Sequence, residues 1–169
     1  YLEPSIHEKK TIWAGSDDGL VHLTKNGGKT WDNVTPNSLQ EGMVNAIDVS
    51  PHDPATAYIA FTRYKFADFK PYIYKTNNYG KSWKKIVRGI PDDAYVRVVR
   101  EDPVKKDLLY AGTELGLFVS FNNGKEWQPF QLNLPIVPIT DLTFRNNDLV
   151  ASTLGRAFWI LDDLSPLQN

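Results

Sequence analysis

The chain has 169 residues, a length suited to one domain. Nineteen Lys and Arg against twenty Asp and Glu leave a formal net charge of −1, which argues against a nucleic-acid or membrane-surface binder held by bulk electrostatics. No apolar run reaches the roughly eighteen residues of a membrane-spanning helix, and the absence of Cys removes disulfides, thiol nucleophiles and Cys-ligated metals.

Short alternating or β-branched runs follow one another from the first residues to the last. They predict strands at Ile12–Gly15, Leu20–Thr24, Val44–Val49, Ala57–Phe61, Tyr72–Thr76 and Tyr95–Arg100. Further strands are expected at Leu109–Gly112, Leu117–Ser120, Ile139–Phe144, Leu149–Thr153 and Ala157–Leu161. No amphipathic helix is expected. The prolines at Ser50-Pro51-His52-Asp53-Pro54 and Glu101-Asp102-Pro103 fix φ and cannot donate to a ladder, so these segments read as turns.

A hairpin motif recurs three times between these strands. A hydroxyl residue is followed two positions on by Asn, then by Gly, then three residues later by Trp. The copies are Thr24, Asn26, Gly28, Trp31; Thr76, Asn78, Gly80, Trp83; and Ser120, Asn122, Gly124, Trp127. Asn can bond to the turn backbone, Gly can take positive φ, and the buried Trp anchors the hairpin. The tryptophans stand 52 and then 44 residues apart, the period of a four-stranded propeller blade (strands A to D).

The expected fold is therefore all-β, an arc of about four blades with the first and last incomplete. The blade pieces fall near 1–38, 39–90, 91–134 and 135–163, with 164–169 as an exit tail. The first copy is expected to lack strand A, residues 3–10 reading as an A–B turn. The last copy lacks strand D. Such an arc suggests a fragment of a longer chain, partnered by the rest of that polypeptide or by a second copy of itself.

The hairpins resemble the Asp-box of bacterial neuraminidase repeats. The whole chain is similar to the sortilin-like propellers of large bacterial proteins often labelled glycosyl hydrolase. The resemblance rests on residues 13–19, 68–74, 96–103, 110–116 and 155–162. It implies the last blades of a secreted or periplasmic propeller. In all three copies the box Asp is Asn, which keeps an acceptor oxygen but weakens any calcium or charge role.

In a propeller the B–C and D–A connections share the face that usually binds ligand. That places Arg63, Tyr64, Asp68, Glu114 and Arg156 as candidate ligand-binding residues, with Glu41, Asp92, Asp93 and Asn133 on the D–A segments. Residues 62–71 form an insertion mixing cations with Tyr64, Phe66 and Phe69, suited to carbohydrate or peptide. Asp17, Asp18 and Glu114 are the candidates for a glycosidase carboxylate pair, although both short segments also read as ordinary turns. Arg63, Arg97, Arg100 and Arg156 occupy non-equivalent blade positions, so no neuraminidase arginine triad is visible. His7, His22 and His52 have no metal spacing, and Gly28-Lys29-Thr30 is explained by the box rather than a phosphate loop. Neither cofactor nor metal is expected. The reading is a non-catalytic binding or scaffold module, with part of a glycoside hydrolase as the alternative.

Overall fold

The computed structural model describes residues 1–169. Its fifteen strands form four antiparallel sheets, each a meander in chain order. The first contains β1 (Leu2–Pro4), β2 (Ile12–Gly15), β3 (Val21–Thr24) and β4 (Asp32–Asn33). The second contains β5 (Met43–Val49), β6 (Ala57–Arg63), β7 (Asp68–Thr76) and β8 (Lys84–Lys85). The third contains β9 (Val96–Glu101), β10 (Leu109–Thr113), β11 (Gly116–Ser120) and β12 (Gln128–Pro129). The fourth has three strands, β13 (Ile139–Arg145), β14 (Asp148–Thr153) and β15 (Phe158–Leu161).

The first sheet corrects one expectation. Leu2–Pro4 pairs with Ile12–Ala14 and fills the strand A position, so only Ser5–Thr11 is turn. The strand has three residues where β5 has seven, and too little alternation is left in three residues to be read from sequence.

The sheets pack face to face, with their inner strands β1, β5, β9 and β13 gathered together. Arg100 of β9 sits at that meeting point. Its Nη1 donates to Ile47 O at 3.2 Å, its Nε to Leu142 O at 3.0 Å, and its Nη2 to the Tyr1 hydroxyl at 2.9 Å. One side chain thus touches the inner strand or the adjoining residue of the other three sheets. The burial pattern follows from position in the stack. The inner sheets are covered on both faces, so every residue of β10 and β11 is buried and β6 is buried up to Arg63. Strands β2 and β15 belong to the end sheets and alternate instead. One core cluster joins the first and second sheets around Trp13, Ile47 and Phe61, and another joins the second, third and fourth around Tyr58, Tyr110 and Leu142.

The three boxes share one geometry. Asn26 Oδ1 accepts the Thr24 hydroxyl at 2.9 Å and the Thr30 N–H at 3.0 Å; Asn78 repeats both bonds with Thr76 and Ser82, and Asn122 with Ser120 and Glu126. The amides of Asn26 and Asn78 also donate to the Thr30 and Ser82 hydroxyls at 2.7 and 2.8 Å, where a carboxylate would instead accept from the hydroxyl. Gly28, Gly80 and Gly124 take φ of 87, 78 and 74°. Trp83 and Trp127 reach beyond their own hairpins. Their indole N–H groups donate to Val34 O at 2.7 Å and Ile86 O at 2.8 Å, each just past the outer strand of the preceding sheet. Trp31 makes no such bond and is 41% exposed, so it does not share the buried environment of Trp127.

Box turns and A–B turns lie on one side, joined by Gly27 N–H to Lys10 O at 2.9 Å, Tyr79 N–H to Ala55 O at 3.0 Å and Asn123 N–H to Asp107 O at 2.9 Å. B–C and D–A connections meet on the other, where Val44 N–H donates to Ser16 O at 3.0 Å and Glu114 N–H to Tyr95 O at 3.0 Å. The final residues fold back rather than run out as a tail. Leu164 is buried, the one-turn helix α1 (Ser165–Gln168) follows, and the Gln168 amide donates to both Asp102 carboxylate oxygens at 3.1 Å.

Candidate functional site

The insertion in the second sheet is built from strand ends. Strand β6 runs on to Arg63 and β7 starts at Asp68, and the two residues pair across the ladder. Only residues 64–67 remain as a loop, a 3₁₀ turn at Tyr64–Phe66 closed by Ala67 at φ 56°. Across the base, Arg63 Nη1 meets Asp68 Oδ2 at 2.7 Å and its Nε donates to Glu41 O at 2.8 Å. The Tyr72 hydroxyl donates to the same Asp68 oxygen at 2.7 Å. Burial pushes the Asp68 carboxyl up, but the bonds from Tyr72, Lys70 N–H and Arg63 outweigh it and hold the group below its ordinary range.

The third sheet supplies the neighbouring part. Arg97 of β9 donates through Nε and Nη2 to Glu114 Oε2 at 3.0 and 2.8 Å, and through Nη2 to the Tyr95 hydroxyl at 3.0 Å. Burial lowers the Arg97 pKa, and the bond and charge of Glu114 with the Tyr95 phenol more than restore it. Tyr95 joins the two sheets. Its ring stacks on Tyr64 at 5.5 Å and 23°, and Phe69 lies 6.2 Å away. The result is a continuous crest: the Arg63–Asp68 pair, the rings of Tyr64, Phe69 and Tyr95, then the Arg97–Glu114 pair. Tyr64 is 36% exposed, and Phe66 and Phe69 are 49% exposed. Beside the crest a groove of about 220 Å³ runs between Asp17, Glu41 and Met43 on one side and Arg63, Tyr64 and Phe66 on the other.

The candidates therefore separate. Arg63, Tyr64, Asp68 and Glu114 belong to the crest, and Asp17 lines the groove. Arg156 lies in the B–C turn of the fourth sheet, where its guanidinium makes no ion pair or hydrogen bond. Asp18 accepts the Ser16 hydroxyl, and that bond lowers its pKa. Glu114 is engaged by Arg97, so neither carboxyl stands free opposite the other. Tyr95 and Arg97 were not singled out as binding residues. Their i, i+2 spacing at a strand start was the available signal, since it puts both on one side of the sheet.

The carboxyls pushed upward lie elsewhere. Burial raises Asp48 to about 7 despite Arg100 Nη1 at 3.5 Å, and it also raises Glu3. Both belong to the inner-strand cluster around Arg100, which reads as structural. A groove of about 710 Å³ lies on the box side, between Lys25, Thr35, Tyr79 and Trp83. It is open, with polar and apolar surface in about equal parts, and its indole N–H is already used by Val34 O. No group of three or more His, Asp or Glu side chains is placed to hold a metal ion.

Neither protein-family models nor curated proteins match the chain. Solved structures do. YCF48 bound to D1 peptide superposes with a TM-score of 0.67 and 17% identity, over 92% of this chain and 49% of that one. The GH74 xyloglucanase from Xanthomonas campestris gives a TM-score of 0.72 and 15% identity, over 95% of this chain and 28% of that one. An extracellular domain from B. thetaiotaomicron gives 0.66 and 16%, over 90% and 20%. The chain spans about half or less of each of these structures. Identities this low carry the fold alone, and with the four meandering sheets they make this chain an arc of a β-propeller.

Proposed function

We propose that the chain is a non-catalytic binding module, the closing part of a larger Asp-box, sortilin-like propeller exported from the cytoplasm. It recognises a peptide or carbohydrate with its B–C and D–A loops. The crest carries this reading. Exposed rings of Tyr64, Phe66 and Phe69 are flanked by cations already neutralised by Asp68 and Glu114. Such a surface offers flat apolar contact and directional polar groups without a strong net field. The likeness to YCF48 bound to D1 peptide supports the peptide branch. The likeness to GH74 enzymes supports the alternative, a piece of a glycoside hydrolase whose other carboxylates come from further blades. On this face Asp18 and Asp68 are both held below the ordinary range, which suits an ionised hydrogen-bond acceptor better than a general acid.

Peptide arrays and a panel of oligosaccharides presented to the chain test the reading. Tyr64→Ala and Phe69→Ala are expected to weaken any ligand found at least tenfold while lowering the unfolding midpoint by only a few degrees, because both rings are partly exposed and pack mainly on Tyr95. Unchanged binding in both variants would remove the crest from the site. Release of sugar from a glycoside substrate by the chain would favour the enzymatic alternative.

A further inference from the structure

Neighbouring box hairpins enclose grooves, and equivalent positions line two of these grooves with different charges. The residue before the box hydroxyl is Leu23 in the first sheet, Lys75 in the second and Val119 in the third. Leu23 and Val119 are buried in the core. Lys75 therefore puts an ammonium group where the fold otherwise places an aliphatic side chain, and it is half-buried there.

Its cross-strand partner adds to the anomaly. Leu23 pairs with Asp32 and Val119 with Gln128, but Lys75 pairs with Lys84. Like charges directly opposite on one face of an antiparallel pair destabilise it. The next box brings a third cation. A groove of about 270 Å³ between the second and third sheets is lined by Lys75, Lys84 and Lys125, and no acidic residue lines it. At the same three positions the groove between the first and second sheets has Leu23, Asp32 and Lys81, whose charges cancel.

None of the three lysines has a carboxylate within ion-pair distance. The Lys75 ammonium donates to Asn123 Oδ1 and stands 5.4 Å from the centre of the Tyr58 ring, which leaves further N–H donors free. Burial lowers its pKa, and Asp107 and Glu101 oppose that from beyond ion-pair distance. Neutral groups complete the lining. Ser82 Oγ accepts the Asn78 amide and keeps its own O–H to donate, and the side-chain amides of Asn77 and Asn123 face the same groove. The Trp83 indole, its N–H spent on Val34 O, offers a carbon edge.

We propose that this groove binds a sugar carrying an oxyanion ester, sulfate or phosphate, with the ester held by Lys75, Lys84 and Lys125. The ammonium groups act as point charges on the ester oxygens. Asn77, Ser82 and Asn123 serve the ring hydroxyls, and Trp83 the apolar edge of the ring. The volume is just under the roughly 300 Å³ at which small-molecule sites begin, so it suits one such unit rather than a longer chain. The bound anion also offsets the repulsion between Lys75 and Lys84. The groove is on the box side, opposite the crest, and stands or falls independently of it.

N-acetylglucosamine 6-sulfate and N-acetylglucosamine 6-phosphate are the probes, each titrated into the ¹⁵N-labelled chain beside unmodified N-acetylglucosamine. Saturable amide shifts are expected at residues 75–77, 82–84 and 123–125 with the esters and none with the neutral sugar, and the tighter ester identifies the preferred oxyanion. Lys84→Gln and Lys125→Gln change exposed side chains and are each expected to weaken binding about tenfold, the loss of one charge-assisted hydrogen bond. Lys75→Met restores the aliphatic character of Leu23 and Val119, so it is expected to abolish binding while the thermal midpoint holds or rises. A midpoint that falls in Lys75→Met would make Lys75 a structural residue. That result, an equal response to the neutral sugar, no shift at these residues, binding that persists in Lys75→Met, or a phosphoserine peptide bound more tightly than either sugar ester would each overturn the proposal.

Discussion

Trp127→Ala and Trp31→Ala change the same motif position with the same chemistry and should have very different costs. Trp127 is 2% exposed and donates to Ile86 O across the sheet boundary. Truncating a buried Trp costs about 3–5 kcal/mol through lost transfer energy and the cavity left behind. Leaving the Ile86 carbonyl without its donor adds about 1 kcal/mol. Trp31 is 41% exposed and makes no bond to another sheet. Its loss should cost about 1 kcal/mol, as for a surface substitution that removes partial packing. Trp127→Phe separates the two contributions, keeping most of the apolar volume while giving up the N–H. Guanidinium unfolding followed by circular dichroism measures all three, provided the slope with denaturant stays constant. Equal costs for Trp31→Ala and Trp127→Ala would mean that the tryptophan anchors its own hairpin, and the role of indoles in tying one sheet to the next would be refuted.

Other outcomes follow from single contacts. Asn78→Ala removes the acceptor oxygen for the Thr76 hydroxyl and the Ser82 N–H together with the amide bond to the Ser82 hydroxyl, and should destabilise by about 1–3 kcal/mol in the same unfolding assay. Asp48 is raised to about 7 in the fold from 3.8, so its contribution is greatest below pH 4 and is lost as pH rises towards 7. Asp48→Asn removes that titration; its stability relative to the parent chain should therefore climb between pH 4 and pH 8, and a flat difference would show that Asp48 titrates normally. Gly80→Ala meets both a φ of 78° and Val34 Cβ at 2.7 Å, and should cost more than about 1 kcal/mol, whereas the same change at Gly28, which has no such neighbour, should cost only the backbone strain. Thermal midpoints of the two variants would check the difference.

The blade pattern was legible before any coordinates because its determinants are local. A period-two run, a Pro-containing turn and an Asn–Gly–Trp hairpin each constrain a few neighbouring residues, so the three inner strands of each sheet from Ile12 onward and the three boxes could be placed from the chain alone, while the two-residue outer strands β4, β8 and β12 carry too few residues for a pattern. The missing outer strand of the last sheet was legible for the same reason, since a box has a recognisable spacing and residues after Leu161 lack it. The three-residue β1 was not, because Leu2–Pro4 owes its strand conformation to the edge of β2 rather than to a pattern of its own. The candidate site divides in the same way. Arg63, Tyr64 and Asp68 stood out as an insertion of unusual composition within one repeat. Their stacking on Tyr95, and the capture of Glu114 by Arg97, depend on how the second and third sheets lie against each other. Trp31 makes the point most clearly. Its motif is the same as those of Trp83 and Trp127, yet it is exposed where Trp127 is buried, because burial requires a carbonyl and an apolar side chain from a neighbouring sheet. Motif spacing determines the local turn, and only the packing of sheets that are distant in sequence decides which copies of it become core.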